Sequence, residues 1–379
     1  MVSCQSIINF IEREKKEFIA AILLLLFSVP FFIMSMSGFI DSQNIIYVQK
    51  DLNISAPENV IIDNNGTLHF DSMTLKQKIA QMIIAYGRED YNDEYQKLLI
   101  GGIYVVSASS KDDATRISTH FQNGSVIQMF VTADLEGCWN PFLKFFKSPT
   151  LLEIENASEA YQLGKEHGRI LNETGFNVNF APVVDLDDNV WKCRNFPGTP
   201  EEISEKALAY IRGISEYGIL TTVKHYPGKT LTDIDPHKNI DRKNISEKDL
   251  YPFLVSIENN VPGIMVSHII ANGTLDSEGK PAVVSEKLLE DLRGEYEGLI
   301  VTDEINMLGL KDYYSDIDQM YIDVFKADND IILNFDYHIE NITHMISVVE
   351  NAVLSGVISE DRIDDSVTRI LKAKNVNFI

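Results

Sequence analysis

Five short apolar runs in this chain of 379 residues end on a side chain that can hold or move a proton, or form a covalent bond. Asp134 follows the run 126–133, Asp185 follows 178–184, and Lys224 and His225 follow 219–223. His268 follows 263–267, and Asp303 follows 299–302. One charged residue after a strand is ordinarily the solvated start of a loop. Five such ends, carrying Asp, Lys and His together, suit a polar substrate and acid–base or nucleophilic chemistry. That chemistry requires a scaffold that brings all five ends to one face.

The pattern of elements predicts such a scaffold. Eight apolar runs, at 80–85, 102–106, 126–133, 178–184, 219–223, 263–267, 299–302 and 330–334, are mostly rich in Val and Ile without clean alternation. Strands buried on both faces of a parallel sheet have this character. Helical stretches lie between them. Thr199, Pro200 and Glu202 supply an N-cap, a proline at the first helical position and a glutamate three residues after the cap, while Ser285 and Ser359 open two further helices. Eight β–α alternations predict an α/β fold of the (β/α)8 TIM-barrel type in a single domain, with a site at the C-terminal ends of its strands. No GxGxxG or Walker sequence follows any of the runs, which argues against a nucleotide site.

Composition narrows the partners. A formal charge of −23 argues against nucleic acid, whose phosphates would be repelled. Three cysteines without a CxxC exclude a disulfide scaffold and a four-cysteine zinc site, and no metal or organic cofactor is expected. Residues 18–40 carry no charge, and about 20 apolar residues suffice to cross a bilayer. Arg13, Lys15 and Lys16 precede them, which places 1–17 in the cytoplasm, 18–40 as a transmembrane signal anchor and the rest outside. The alternative is a cleaved signal peptide. Cys4 precedes the apolar run and is not placed like a lipoprotein cysteine. Residues 41–71, polar and aperiodic, are expected to form a stalk, and 72–379 the barrel domain. Eight N-x-S/T sequons, at Asn53, Asn65, Asn123, Asn156, Asn172, Asn244, Asn272 and Asn341, agree with an extracytoplasmic domain. Some of them fall where a barrel is expected to bury them.

Segment 224–237, KHYPGKTLTDIDPH, resembles the KHFPGHGxTxxDSH signature of glycoside hydrolase family 3, in particular its NagZ-type β-N-acetylhexosaminidases. GIMVSH at 263–268 resembles the IMTAH strand of that family, and GLIVTDEINM at 298–307 resembles GVVFSDDLxM. NFAPVVD at 179–185 matches the family's NFAPVVD, and TADLEG at 132–137 resembles its IDQEGG turn. These segments keep the family order over about 72–375. The resemblance implies a retaining, exo-acting β-glycosidase in which Asp303 is the nucleophile and His237, oriented by Asp235, is the acid and base. An imidazole near its ordinary pKa serves both roles. It also implies sugar contacts from Asp134, Arg194, Lys224 and His225, although each could instead form a structural ion pair, with His268 as a further candidate that could instead be a packed, hydrogen-bonded core histidine. Family members with a second domain bring their acid from it. Here the helix opened by Ser359 runs close to the last residue, so the acid is expected from the barrel.

The chain also departs from the pattern. Gly137 is followed by Cys138 where the family has a second glycine, Phe142 stands at an arginine position, and Lys229, Thr230 and Leu231 replace a histidine, a glycine and an aspartate. Cys138 and Cys193 follow the third and fourth predicted strands, neighbours at a barrel mouth, and are expected to form a disulfide beside Arg194 and the Asp134 loop. The implied substrate is a terminal β-linked N-acetylhexosamine of a cell-wall fragment or surface glycan. A glycoside phosphorylase and a non-catalytic carbohydrate-binding protein are the alternatives.

Overall fold

The structure, a computed structural model, describes residues 57, 59–231 and 240–379. The expected anchor at 18–40 and the catalytic pair Asp235 and His237 lie outside the described residues. Among the described residues no helix is long and apolar enough to cross a membrane.

Eight parallel strands form the core: β1 (Ile83–Tyr86), β2 (Gly102–Tyr104), β3 (Phe130–Ala133), β4 (Val178–Asn179), β5 (Leu220–Tyr226), β6 (Gly263–Val266), β7 (Leu299–Thr302) and β8 (Ile332–Asn334). Each pairs with its sequence neighbour, and β8 pairs with β1 through Ile83 opposite Ile332. A parallel bridge between Val301 and Ile331 joins β7 to β8 and completes the ring. Ile84, Ile103, Val131, Ile264, Ile300 and Ile332 are all buried, because helices cover the outer face and side chains fill the inner one.

The eight expected strands are present, most of them shorter or shifted at their ends. Residues 80–81 complete the helix Leu75–Gln81 rather than opening β1. β4 keeps only two residues, since Pro182 has no N–H for the ladder. β5 runs on to Tyr226, so Lys224 and His225 are strand residues and not the start of a loop.

The helices begin where their caps predict. Thr199 accepts from the Glu202 amide and Glu202 returns to the Thr199 amide, starting helix Pro200–Ser215. Ser285 and Ser359 cap Glu286–Glu295 and Glu360–Ala373. Helix Ala157–Glu173 lies close against Pro200–Ser215. A Cβ on Gly164 would stand 2.2 Å from the Tyr210 carbonyl, and one on Gly213 would stand 2.2 Å from that of Tyr161. Any larger residue would force the pair apart.

The expected stalk at 41–71 is corrected in its last part. Val60 and Leu68 are buried, Ile62 bridges Leu68, and Leu68 exchanges backbone hydrogen bonds with Asn377 and Ile379. Two apolar anchors among polar residues suffice to hold this segment, because the C-terminal tail pairs with its backbone. A two-stranded parallel ribbon, Arg242–Ile245 with Ile270–Gly273, is a further unpredicted element. The expectation that some sequons would be buried is also corrected: the seven described sequon asparagines are all exposed.

At the N-terminal ends of the strands, Lys374 is buried and donates to Gln81 Oε1 at 3.0 Å and to the Gly101 carbonyl at 2.7 Å. No carboxylate compensates its charge, and burial pushes the amine down from 10.5 to about 7. Between those values the unfolded chain binds the extra proton, so stability should rise with pH, by up to about 1.4 kcal/mol per unit. Lys374→Met should flatten that slope in urea unfolding from pH 7 to 10, and identical slopes in the two proteins would remove Lys374 as its source.

Candidate active site

The site is organised by a carboxylate rather than by a cation. Glu136, fully buried in the loop after β3, accepts from Arg194 Nε at 2.7 Å and from its terminal nitrogen at 2.9 Å. The same Glu136 carboxylate is 2.5 Å from Lys224 Nζ on β5. Lys224 also donates to Asp134 Oδ1 at 2.6 Å, and Tyr104 on β2 donates to Asp134 Oδ2 at 2.9 Å. Burial by itself would raise the Glu136 carboxyl, but the Arg194 and Lys224 charges outweigh it and hold the group well below the carboxylate range. Burial likewise opposes the charge on Lys224, and Asp134 and Glu136 overcome it and raise its pKa. Two anions and two cations thus balance, with Glu136, Arg194 and Lys224 buried and Asp134 partly open to the cavity.

Local structure explains why these side chains can meet. Gly137 turns the chain after Glu136 at φ +93°, and a Cβ there would stand 2.2 Å from the Pro149 carbonyl. Asn179 at the end of β4 clamps both peptide groups of Leu135, accepting at 2.8 Å and donating at 3.1 Å. Asn179 also donates to Tyr210, whose hydroxyl contacts His167 at 2.8 Å. Burial takes His167 down to about 3, so this chain of contacts is uncharged. Across the mouth of β4, Asp185 accepts from His225 Nδ1 at 2.8 Å, which fixes the imidazole tautomer. Cys138 and Cys193 are joined in a disulfide with their Cα atoms 6.1 Å apart.

Asp303 follows β7. Its amide donates to the Val266 carbonyl at 2.9 Å, and its Oδ1 accepts from the Glu304 amide at 2.8 Å. Glu304 also reaches the cavity wall, but its Oε1 is engaged by both nitrogens of Asn306 and by the Phe335 amide. Burial raises its pKa against those hydrogen bonds. His268 donates through Nε2 to the Glu304 carbonyl at 2.8 Å. Through that bond His268 braces the segment carrying Asp303, and it is not among the residues that line the cavity.

A cavity of about 230 Å³ opens at the C-terminal ends of the strands. Asp134, Arg194, Lys224, His225 and Asp303 all line it, so five of the six expected site residues among those described come together. Tyr104, Trp139 and Phe335 complete much of the wall. Tyr104 stacks on Phe335 with ring centres 4.3 Å apart and planes 13° from parallel. Phe142, at the family's arginine position, is buried edge-on against Phe176 and supplies nothing to the cavity. Lys229 extends to the Asn244 carbonyl and Asp249 instead. Sequence reasoning did not single out Glu136 or Tyr104. The signal for Glu136 was its place in the TADLEG turn; Tyr104 lies in the middle of the predicted run 102–106 and ends the strand only in the structure. Among the described residues, no group of three His, Cys, Asp or Glu side chains is arranged to hold a metal.

A profile described as the glycosyl hydrolase family 3 N terminal domain matches residues 74–373. The chain belongs to glycosyl hydrolase family 3. It is 31% identical to "Beta-hexosaminidase A" of Pseudoalteromonas piscicida over 59% of its own length and 41% of the relative's. "Beta-hexosaminidase LpqI" of Mycobacterium tuberculosis is 24% identical over 80% of this chain and 83% of its own. The solved family 3 β-N-acetylglucosaminidase of Paenibacillus sp. str. FPU-7 superposes with a TM-score of 0.72 at 27% identity, covering 80% of this chain and 62% of that one. The chain thus spans less than two thirds of the first and the last of these relatives.

The arrangement makes Glu136 the residue whose charge the cluster can least lose. Glu136→Gln keeps the shape but leaves two buried cations sharing Asp134. It should cost about 3–5 kcal/mol, as breaking a buried pair typically does, measured by urea unfolding at pH 7. A loss below about 1 kcal/mol would show that neutral packing, not the Glu136 charge, holds Arg194 and Lys224.

Proposed function

We propose that the chain is a retaining, exo-acting β-N-acetylhexosaminidase that releases terminal β-linked N-acetylglucosamine from cell-wall fragments or surface glycans. The observation that carries this reading is that Asp303 shares one small cavity with Asp134, Arg194, Lys224 and His225. The cavity has room for about one sugar ring, lined with donors and acceptors for hydroxyl groups. The hexosaminidase and N-acetylglucosaminidase names of the relatives support the sugar.

In the first step Asp303 attacks the anomeric carbon while His237 protonates the departing glycosidic oxygen. The bond to the leaving group breaks as the glycosyl–Asp303 ester forms. In the second, His237 takes a proton from water, whose oxygen displaces Asp303 and restores the free carboxylate. Asp235 orients the imidazole and stabilises its charged form. Asp134 and Lys224 accept from and donate to the sugar hydroxyls, and their mutual pairing keeps each in one position before substrate arrives.

The same reading places the catalytic domain outside the cytoplasm, with 18–40 as its anchor. The Cys138–Cys193 bridge favours an oxidising compartment, and the exposed sequons are compatible with one.

Nitrophenyl β-N-acetylglucosaminide should be hydrolysed at a rate independent of phosphate. Sugar 1-phosphate as the main product would make the chain a phosphorylase, and binding without turnover would make it a carbohydrate-binding protein. Asp303→Ala should lower kcat at least about a thousandfold; a variant retaining a tenth of the rate would remove Asp303 as nucleophile. In kcat/KM, which reports the first step, His237→Ala should cost a chitooligosaccharide about a hundredfold more than the nitrophenyl substrate, whose leaving group needs little protonation. Equal losses on both would mean that His237 transfers no proton.

A further inference from the structure

Of the large cavity-wall side chains that the chemistry above does not use, one is exposed. Trp139 lines the cavity and is 44% exposed, at the rim of the mouth. A half-exposed indole is ordinarily a mobile surface group, but this one is held from several sides. Its ring stands edge-on to Trp191, with centres 5.3 Å apart and planes at 76°. Trp191 in turn packs against the hydrophobic core. The Trp139 carbonyl accepts from the Glu136 amide at 2.8 Å. On the chain, Trp139 directly follows Cys138, and Trp191 lies two residues before Cys193, so the disulfide ties together the two loops that carry the pair. The Asp188 carboxylate accepts from the amides of Trp191, Cys193 and Arg194 at 2.7, 3.0 and 2.9 Å, which fixes the second loop from within.

Barrel geometry gives this wall a direction. Trp139 follows β3 and Asp303 follows β7, four places apart in a ring of eight strands, so they stand across the mouth from each other. A sugar whose anomeric carbon meets Asp303 presents its C4–C6 edge to the opposite side, where Asp134 and Arg194 also lie. Resting on the proposed glycosidase reading, we infer that Trp139, locked by Trp191 and the Cys138–Cys193 bridge, is a specificity-determining wall that packs on the C5–C6 edge of the terminal hexopyranose. The faces divide the labour. Asp134 and Lys224 take hydroxyl groups, and the indole takes the apolar C–H surface, which a charged side chain would leave poorly matched. The wall closes the non-reducing end, so the class of ligand is a hexopyranoside unsubstituted at O4. The bridge keeps the indole in place before the sugar arrives, so no ordering of the loops is charged against binding.

The chain has two tryptophans, and they are this pair. Its intrinsic emission therefore reports the wall directly. In Trp191→Phe, which leaves Trp139 as the sole emitter, titration with N-acetylglucosamine should change the emission saturably. Trp139→Ala should raise KM for the nitrophenyl glycoside about tenfold with kcat changed less than about threefold, and Trp139→Phe should restore most of the difference. Reducing the bridge in the folded wild-type protein should raise KM in the same direction, and reoxidation should reverse it. Saturable binding or turnover with an unaltered Trp139 emission, or a KM unchanged in Trp139→Ala, would overturn the wall. An unchanged KM and emission response after reduction would overturn the role of the bridge. If the nitrophenyl glycoside is not hydrolysed but the emission still responds to the sugar, the glycosidase reading falls and the wall stands. If neither occurs, both fall.

Discussion

The Glu136 carboxylate is the constraint on which the mouth of this barrel depends. It lies at the meeting point of three elements: the loop after β3, the loop after β4 through Arg194, and β5 through Lys224. A buried carboxylate without partners would cost several kcal/mol, and so would either buried cation. Each charge is tolerable only because the others are present and correctly placed. The ion cluster contributes little net stability over an apolar core of the same volume. What it contributes is position, since two cations that must satisfy the same carboxylate have little freedom to move. Asp134, paired to Lys224 and held by Tyr104, inherits that rigidity.

Around the cluster the support becomes progressively less charged. Asn179, Tyr210 and neutral His167 carry it through hydrogen bonds into the two helices that cover β4 and β5. Those helices can approach closely enough to place Tyr210 because glycines stand where they touch. On the solvent side a disulfide and the Asp188 turn replace packing, because loops at a barrel mouth have too little apolar surface to bury. The nucleophile side is braced differently. His268 and Glu304 brace that loop through its backbone and Asn306, and Asp303 faces the ring of hydroxyl-binding residues.

Much of this was legible in the chain. Eight Val- and Ile-rich runs set the number of strands, since only burial on both faces rewards such runs, and the caps at Thr199, Ser285 and Ser359 set helix starts through purely local hydrogen bonds. The site residues at strand ends were legible because a parallel barrel turns sequence position into location: whatever follows a strand reaches the same face. The proximity of Cys138 to Cys193 followed from the same rule.

What local sequence could not decide were the partners. Glu136 looks in sequence like any loop glutamate, and it becomes the centre of the site only when Arg194, 58 residues later, and Lys224 arrive beside it. His268 ends its strand as Asp303 does, yet it bonds to backbone and not to the cavity, because the ring position of β6 and the path of the following loop aim its imidazole at the Glu304 carbonyl. Leu68 reads as a stray in a polar stretch until the C-terminal tail offers it a backbone to pair with. The type and number of elements thus follow from the chain itself, through short-range periodicity and capping. Which charges neutralise each other, and which face the substrate, depends on distances between residues far apart in sequence, and only the closed barrel sets those.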